Sequence, residues 1–474
     1  MSAPQVPLSS PSKAALAAIC LGFTVVVLDA GALSVAIPDL KSSFGGSLAS
    51  GQWVSTAYIL TFAGLLLSAG RFADRLGAKR TLLAGVVAFT VTSVLCAASP
   101  SIAVLIALRF AQGAAGAVLM TSSFSLIAQV FPGNDERAKA LAMLSLCGSI
   151  GLSSGPLLAG VLVDALSWRW VFLLNIVTGA VVMLGLRYVD SPAPQHRLSI
   201  DIPGQILGVL SLGGLAMALV EGPALGWTEP LTITAALVFA AAGGAFIVVE
   251  RRRADPMLPL SLFRTRSFTT GSLALGVWRG SLYGLLFFLG FYLQHSHGFS
   301  STLTGIAFIP ITAVPLISNY LSGSGIAHYG SRFVAISGFA TSAVGAGVLL
   351  VASVTGGDYW VIGIALGLIG LGGGWAIPAI SHAALFAVPQ QFSGIAAGVF
   401  NATGQSGALI GVALLGSLAA GGGDSDLHVA AAAVTVVLLF AAAMLWLGLA
   451  ESLVSTGGSN RAGQEVGEAP IHRP

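Results

Sequence analysis

Two oppositely charged residues inside long apolar runs are the strongest candidates for chemistry in this sequence. Asp29 lies within the run Ala14 to Ile37, and Arg109 lies within the run Ile102 to Ala128. An ionised carboxylate in an apolar environment costs several kcal/mol unless it is paired or protonated. At about 1.5 Å per residue, Asp29 lies roughly 14 Å from the later end of its run and Arg109 roughly 12 Å from the earlier end of its own. This common depth predicts that the acid and the cation meet.

A buried acid next to a cation has two possible roles. An acid that exchanges its proton for a nearby cation or a ligand is the minimal equipment for proton-coupled transport, and on this interpretation Asp29 and Arg109 couple proton movement to substrate movement. The alternative is a permanent structural ion pair. The residues alone leave both interpretations open.

A second group of residues suits the wall of a substrate cavity. Arg279, Tyr283 and Phe287 recur every fourth residue and therefore share one face of a helix. An aromatic face with one cation would bind an amphipathic or anionic aromatic compound by stacking and charge pairing. Alternatively, the aromatic side chains pack against neighbouring helices or lipid, and Arg279 pairs with a carbonyl. Asn401 and Gln405, four residues apart, are further cavity candidates.

The elements that position these residues are membrane helices. Hydrophobic residues make up 55% of the 474 positions and charged residues 8%, whereas an average soluble domain has roughly 25% charged residues. Because lipid offers the backbone no hydrogen-bond partners, such a chain must form a helix bundle or a closed β-barrel. The apolar runs last about twenty residues, which favours helices over barrel strands. The sequence predicts an all-α integral membrane protein.

Fourteen apolar runs are long enough to span a bilayer, and they fall into groups of six, two and six. The first six are Ala14 to Ile37, Trp53 to Ala69, Thr81 to Ala98, Ile102 to Ala128, Ala138 to Leu162 and Trp170 to Leu186. The extra pair is Pro203 to Val220 and Leu231 to Val249. The last six are Phe268 to Leu293, Leu303 to Ile326, Phe333 to Val354, Tyr359 to Ile380, Phe392 to Ala419 and Val429 to Leu449.

This grouping predicts the domain organisation. We expect a cytoplasmic N-terminal tail over 1–13, a six-helix bundle over 14–190, a linker with the two extra transmembrane helices over 191–266, a second six-helix bundle over 267–450, and a disordered cytoplasmic tail over 451–474. Lys and Arg residues stay on the cytoplasmic side of short loops. With both termini inside, only Lys41 and Arg169 fall outside, and Arg109 and Arg279 lie within spans. We therefore predict a multi-pass protein of the cytoplasmic (inner) membrane.

Three short segments carry a family resemblance. The loop between the second and third spans contains Gly70, Asp74, Arg75, Gly77 and Arg80. The fourth span has small residues after Arg109, and the fifth contains Gly151, Gly155, Pro156 and Gly160. In this order the segments resemble the signature loop, the span-4 motif and the antiporter motif of the major facilitator superfamily. The span count, Leu28-Asp29 and the segment from Ala218 to Thr228 are similar to its fourteen-span drug:proton antiporter branch, which includes resistance proteins of antibiotic producers.

The resemblance implies a mechanism of alternating access. Two six-helix bundles would rock around a central cavity, and proton influx would drive export of a small, mostly hydrophobic compound. It implies that Asp29 and Arg109 take part in coupling, that the loop from Gly70 to Arg80 is a cytoplasmic latch whose Asp74 faces a helix N-terminus, and that the bend at Gly155-Pro156 shapes the seal between the bundles. The chain departs from the branch at Gly31 and Ser34, where Thr and Asn are usual, and at Ala159, where Gly is usual.

The remaining function classes have less support in the sequence. A membrane enzyme or sensor would need a soluble catalytic or signalling domain or a constellation of His, Cys and carboxylates, so we expect no enzyme, no cofactor, no metal site and no nucleic-acid partner. The sequence contains no nucleotide-binding G-x-x-x-x-G-K-[ST] motif, which argues against ATP as the energy source. Cys20, Cys96 and Cys147 lie within spans, where packing is their expected role. The expected partners are a small hydrophobic or amphipathic substrate, protons and the lipid bilayer, with a monomer as the functional unit. Proton-coupled uptake of a small metabolite and a non-transport membrane sensor are the alternatives.

Overall fold

The computed structural model describes residues 10–131, 133–187, 189, 201–253, 255–356, 358–419 and 423–449. Of the predicted tails and linker, residues 1–9, 190–200 and 450–474 lie outside this part, and so does the side chain of Asp74. The described chain is built of α-helices, as expected for a backbone that must satisfy its own hydrogen bonds in lipid. The prediction of an all-α membrane protein is confirmed.

Fourteen α-helices follow one another along the described chain. They are α1 (Ser10–Phe44), α2 (Leu48–Leu76), α3 (Ala78–Ala97), α4 (Ile102–Val130), α5 (Asn134–Ala165), α6 (Arg169–Leu186), α7 (Ile202–Leu225), α8 (Pro230–Arg252), α9 (Arg266–Ser296), α10 (Ser301–Ala307), α11 (Ile309–Thr355), α12 (Tyr359–Phe386), α13 (Ser393–Leu418) and α14 (Asp424–Gly448). Two short 3₁₀ turns, Leu260–Arg264 and Gln390–Phe392, precede α9 and α13.

Helix α11 contains two membrane spans. Its 47 residues would extend about 70 Å, more than twice the roughly 30 Å of a bilayer's hydrocarbon core. Gly330 interrupts it with φ 78° and ψ 157°, a backbone conformation that is essentially restricted to glycine. The predicted loop between Ile326 and Phe333 is therefore helix broken at one residue. The described chain has 13 continuous apolar helical segments of spanning length, and the break in this one gives the fourteen predicted crossings.

The helices pack in two groups with a pair of helices beside them. Helices α1 to α6 contact one another, chiefly through α1 with α5 and α2 with α4. Helices α9 to α14 form the second group, in which α11 packs on α12 and α9 packs on α13. Helices α7 and α8 pack on each other, and α7 also contacts α2 of the first group and α13 of the second. The extra pair thus touches both groups through a single helix.

Successive spans end at opposite faces of the bundle. We call the face that carries Arg71, Lys79 and Arg252 the basic face, and the opposite face, with Lys41 and Arg169, the far face. On the basic face, the connections are fastened to one another by side-chain hydrogen bonds. Arg71 donates to the carbonyl oxygen of Pro256 at 2.7 Å, Lys79 donates to the carbonyl oxygen of Val189, and Arg253 pairs with Asp201 at 2.6 Å. The stretch after α8 therefore lies against the α2–α3 loop.

The break in α11 gives a stability prediction. Gly330→Ala places a Cβ on a backbone with φ 78°, so the melting temperature of the purified protein should fall, with a cost of about 1–3 kcal/mol. Gly323→Ala is the matched control, since Gly323 lies in the same helix with no atom within 4 Å of an added Cβ. That variant should keep or raise the melting temperature. Equal melting temperatures for the two variants would contradict the assignment of a glycine-dependent break.

Candidate functional site

The structure brings Asp29 and Arg109 together in an ion pair. Arg109 Nη1 lies 2.7 Å from Asp29 Oδ2. Asp29 is 3% exposed and Arg109 is 1% exposed. The pair lies inside the first helix group, between α1 and α4. Because neither side chain reaches water, each must be neutralised by its neighbour, and removal of one partner would leave a buried charge.

Polar side chains from three helices surround the carboxylate. Gln112 Nε2 on α4 and Asn175 Nδ2 on α6 each lie 3.4 Å from Asp29 Oδ1. Both amides also donate to Ser93 Oγ on α3, at 2.8 Å and 3.1 Å respectively. Ser93 in turn donates to the carbonyl oxygen of Phe89 at 2.7 Å. The carboxylate therefore lies at the end of a hydrogen-bond network that holds its donors in place.

The guanidinium of Arg109 has further hydrogen-bond acceptors and two aromatic neighbours. Arg109 Nε donates to the carbonyl oxygen of Val54 on α2 at 3.1 Å, and Nη1 donates to Gln112 Oε1 at 2.8 Å. Its Cζ lies 4.2 Å from the ring centroid of Tyr58 and 5.7 Å from that of Phe172. Two aromatic faces and two further acceptors thus stabilise the cation besides the carboxylate.

Small residues on α4 allow this packing. A Cβ added at Gly113 would collide with the carbonyl oxygen of Tyr58 and with Thr61 Oγ1, and one at Gly116 would lie 2.9 Å from the Tyr58 hydroxyl. Thr61 Oγ1 also donates to the carbonyl oxygen of Phe110 at 2.8 Å. The close approach of α2 and α4 therefore depends on glycine, as expected for small residues at a membrane-helix interface, and it brings the ring of Tyr58 over Arg109.

Three residues of this site were not predicted from the sequence. Ser93, Asn175 and Tyr58 are all buried and all contact the pair or its network. Asn175 is the one with a usable signal, since an amide in the middle of an apolar run must find a polar partner. Only the packing of α2 and α3 assigns Ser93 and Tyr58 to the site.

The antiporter-like motif on α5 contacts both helix groups. A Cβ at Gly151 would lie 2.7 Å from the carbonyl oxygen of Thr24, and one at Gly155 would lie 2.8 Å from that of Leu28, the residue before Asp29. Further along α5, the carbonyl oxygen of Pro156 lies 2.6 Å from a Cβ built on Gly305 of α10. Gly160 similarly contacts the backbone of Ser301. One stretch of α5 therefore packs against the helix of the ion pair and against the other group.

Hydrogen bonds join the two groups at the far face. Gln52 Nε2 donates to the carbonyl oxygens of Val412 and Ala413 at 2.8 Å and 2.7 Å. Gln294 Nε2 donates to the carbonyl oxygen of Val35 at 3.0 Å. Asp164 accepts from the backbone N–H groups of Ser301 and Thr302, at 3.1 Å and 2.7 Å. In this conformation the two groups are joined at the far face.

The α2–α3 loop turns at Gly77, where φ is 94°. The N–H of Gly77 donates to the carbonyl oxygen of Ala73 and ends α2. Arg75 and Arg80 are exposed at the basic face, and an added Cβ at Gly70 would have no atom within 4 Å. The turn explains the glycine at 77, whereas packing does not explain the glycine at 70.

The predicted cavity residues lie on α9 and α13. Arg279 Nη2 lies 3.3 Å from Asn401 Oδ1, and Tyr283 is close enough to Arg279 and to Tyr58 to interact electrostatically with both. Gln405, one turn after Asn401, is partly exposed. Phe287 is 2% exposed and packs at the position of Gly416 on α13. Arg279, Tyr283 and Asn401 thus form one cluster, and Phe287 lies apart from it, nearer the far face.

Among the described residues, no group of three or more His, Cys, Asp or Glu side chains is arranged to hold a metal ion. The three cysteines, Cys20, Cys96 and Cys147, are free thiols within helices.

Comparison with known proteins gives the following similarities. The family model described as Major Facilitator Superfamily matches residues 19–412. The Multidrug resistance protein Stp of Mycobacterium tuberculosis (strain CDC 1551 / Oshkosh) is 34% identical over 85% of this chain and 75% of its own length. The Methylenomycin A resistance protein of Bacillus subtilis (strain 168) is 33% identical over 93% of this chain and 95% of its own. The Puromycin resistance protein pur8 of Streptomyces alboniger is 31% identical over 94% and 92%.

Solved structures share the fold at lower sequence identity. A D-xylose-proton symporter has a TM-score of 0.66 at 14% identity, over 94% of this chain and 99% of its own. A bacterial homolog of the human lysosomal transporter Spinster, in an inward-facing and unoccupied conformation, has a TM-score of 0.64 at 17% identity, over 93% and 98%. At these identities the likeness concerns the arrangement of helices alone.

The buried pair gives a prediction about thermal stability. Arg109→Met leaves the Asp29 carboxylate without its cation, which should cost about 3–5 kcal/mol and lower the melting temperature clearly. The double variant Asp29→Asn with Arg109→Met removes both charges and should recover much of the loss. Thermal unfolding of the purified protein measures both variants. A double variant that is less stable than Arg109→Met alone would contradict a mutually neutralising pair.

Proposed function

From the premise that this chain belongs to the Major Facilitator Superfamily, we propose that it exports small, mostly hydrophobic compounds in exchange for protons by alternating access. The membership itself confirms the resemblance inferred from the three motifs. The chain is a multi-pass membrane transporter and not an enzyme. Its substrate is a small molecule, as is general for the superfamily. Proton coupling, antiport and the direction of transport are the proposed parts.

The orientation follows from the charged loops. Lys and Arg residues are retained on the cytoplasmic side, so the basic face, which carries Arg71, Lys79 and Arg252, would face the cytoplasm. Both chain termini would then be cytoplasmic, because α1 begins and α14 ends on that face. The far face would be open to the outside only after its contacts between the groups have separated. The membrane would be the cytoplasmic membrane.

The observation that carries the coupling proposal is the buried ion pair. Asp29 is the one carboxylate that lies deep within the described spans, and its partner Arg109 lies in the same helix group. Protonation of Asp29 would remove the charge that neutralises Arg109. The guanidinium would then depend on Val54, Gln112 and the Tyr58 ring alone. A proton would thereby change the charge and the hydrogen bonds between α1, α2 and α4, which is the kind of differential interaction that shifts a conformational equilibrium.

The route from the pair to the rest of the molecule would run through α1 and α5. Gly151 and Gly155 fit α5 against α1 beside Asp29, and Pro156 and Gly160 fit the same helix against α10 at the far face. A change in the position of α1 would therefore be passed to the contact that joins the groups at the far face. In this proposal the two bundles, 14–190 and 267–450, rock about these contacts, and the Gly155-Pro156 bend is part of the seal.

The loop of Gly70, Asp74, Arg75, Gly77 and Arg80 would act as a latch at the cytoplasmic face. In support, Arg71 near the end of α2 donates to the carbonyl oxygen of Pro256, and Ser68 Oγ, one turn earlier, lies 3.4 Å from the sulfur of Met257. The segment after α8 is thus attached to the latch. We propose on this basis that the linker with α7 and α8 keeps the latch in place, while α7 stays in contact with both helix groups as they move.

The proposal of export rests on the relatives, whose names are those of resistance proteins. A transporter confers resistance to a compound that acts inside the cell by moving the compound outward. Proton influx would supply the energy for that export. No observation in the described residues favours uptake or a sensor. The substrates of this chain would accordingly be antibiotics, other drugs or secondary metabolites of mainly apolar character.

Proton movement in everted membrane vesicles tests this proposal. In acidified vesicles that contain the wild-type chain, methylenomycin A, the compound in a relative's name, should dissipate the pH gradient. Asp29→Asn should abolish that response, because its side chain cannot exchange a proton. Asp358→Asn, the same change at an exposed aspartate at the start of α12, should leave it intact. A gradient that Asp29→Asn still dissipates would overturn the coupling role of Asp29.

A further inference from the structure

Three charged side chains lie deep within the described membrane helices, and only two of them neutralise each other. Asp29 and Arg109 form the ion pair. Arg279 lies near the middle of α9, far from the ends of the helix at Arg266 and Ser296. The other described charged residues lie within about two turns of a helix end or break, or in connections. The interior of the described helix bundle therefore carries one net positive charge, at Arg279.

The guanidinium of Arg279 is underused as a hydrogen-bond donor. Its Nη2 has one partner, Asn401 Oδ1 at 3.3 Å. Its Nη1 is shielded from solvent and has no hydrogen-bond partner in the described part of the chain. A guanidinium has five N–H donors and cannot lose its charge in a protein. A buried donor left without an acceptor costs free energy, more so when it is charged, so this site is incomplete without a further acceptor.

The neighbours of Arg279 on α13 hold its side chain in position. Asn401 Nδ2 donates to the carbonyl oxygen of Ala397 at 3.1 Å, which fixes its Oδ1 towards Arg279. Gly404, one turn further on α13, leaves room for the stem of Arg279, since a Cβ there would lie 3.0 Å from its Cδ. The side chains of Arg279, Tyr283 and Asn401 are each partly exposed. The Arg279 side chain is thus partly exposed as a whole, while its Nη1 is shielded from solvent and has no acceptor in the described part of the chain.

Tyr283 joins this cluster to the ion pair. It lies one turn after Arg279 on α9 and close enough to Tyr58 for an electrostatic interaction. Tyr58 in turn lies against Arg109, with 4.2 Å between its ring centroid and Cζ. The two aromatic side chains come from different helix groups. A molecule bound at Arg279 would consequently lie beside Tyr283, and a body extended from there towards the first helix group would approach Tyr58.

We propose that Arg279 is an anion-binding site and that the transported compounds are amphipathic monoanions, with a single carboxylate on an aromatic or otherwise apolar body. The carboxylate would accept from Nη1 and Nη2 in the bidentate geometry that guanidinium favours. The apolar body would pack along Tyr283 towards Tyr58. This inference rests on the proposed transport function and specifies its substrate class.

The charge of such a substrate determines the charge balance of transport. Export of one monoanion in exchange for one proton moves the equivalent of two positive charges inward per cycle. Transport of these compounds would then be electrogenic, and a membrane potential that is negative inside would drive it in addition to the pH gradient. A neutral substrate exchanged for one proton would move only one charge.

Binding of matched probes to the purified full-length chain in lipid nanodiscs tests the inference. The probes are naphthalene, biphenyl and indole, each as the carboxylate, the carboxamide and the aminomethyl cation, and their affinities are measured at neutral pH without a gradient. In the wild type at least one carboxylate should bind about tenfold or more tightly than its amide, the ratio expected from one charge-assisted pair. Arg279→Gln should abolish this preference, and Arg279→Lys should retain part of it because the charge remains.

The control variant separates folding from anion binding. Arg266→Gln makes the same change at an exposed arginine on the first turn of α9 and should keep the preference for carboxylates. Because the affinities are measured without a gradient, the binding result does not depend on proton coupling. If no carboxylate binds, if amides or cations bind as tightly, or if Arg279→Gln keeps the preference while remaining folded, the anion site is wrong, whatever the vesicle experiment shows.

Discussion

Two opposite charges that no water reaches must stay paired, unless the acid takes up a proton. Much of this structure is arranged around that constraint. Asp29 and Arg109 lie 2.7 Å apart in the first helix group, and each is supported by groups from other helices. Gln112 and Asn175 reach the carboxylate, and the Tyr58 ring covers the guanidinium. A proton added to the carboxylate would therefore affect four or more helices at once, and the proposed role of the pair in a transport cycle rests on this.

The contacts that would transmit such a change are made mainly by glycine. On α4, Gly113 lets α2 approach and places Tyr58 on the cation, and on α5, Gly151 and Gly155 fit against α1 next to Asp29. Further along α5, Gly160 contacts α10 of the other group. Interfaces of this kind hold backbones at close range with little side-chain volume to rearrange. They suit helices that must slide or rock while they remain packed.

The sequence predicted the helices and the pair more fully than the surroundings of the pair. Apolar length gives the number of spans, and the depth of a residue in its span follows from its position, so Asp29 and Arg109 could be matched. Depth does not specify which face of a helix meets which neighbour, and for that reason Ser93 and Asn175 were missed. The break at Gly330 was predicted as a loop, because a polar interval in the sequence looks the same whether one residue or six leave the helix.

Infrared difference spectroscopy of the purified chain can detect whether Asp29 exchanges a proton while it lies in this pair. If Asp29 does so, acidification in the presence of a bound compound should produce the carbonyl band of a protonated carboxylic acid in an apolar environment. Asp29→Asn should lack that band, and Asp358→Asn should retain it. A permanent structural pair would give no such band, or one that Asp29→Asn leaves unchanged, and either result would contradict proton exchange at Asp29.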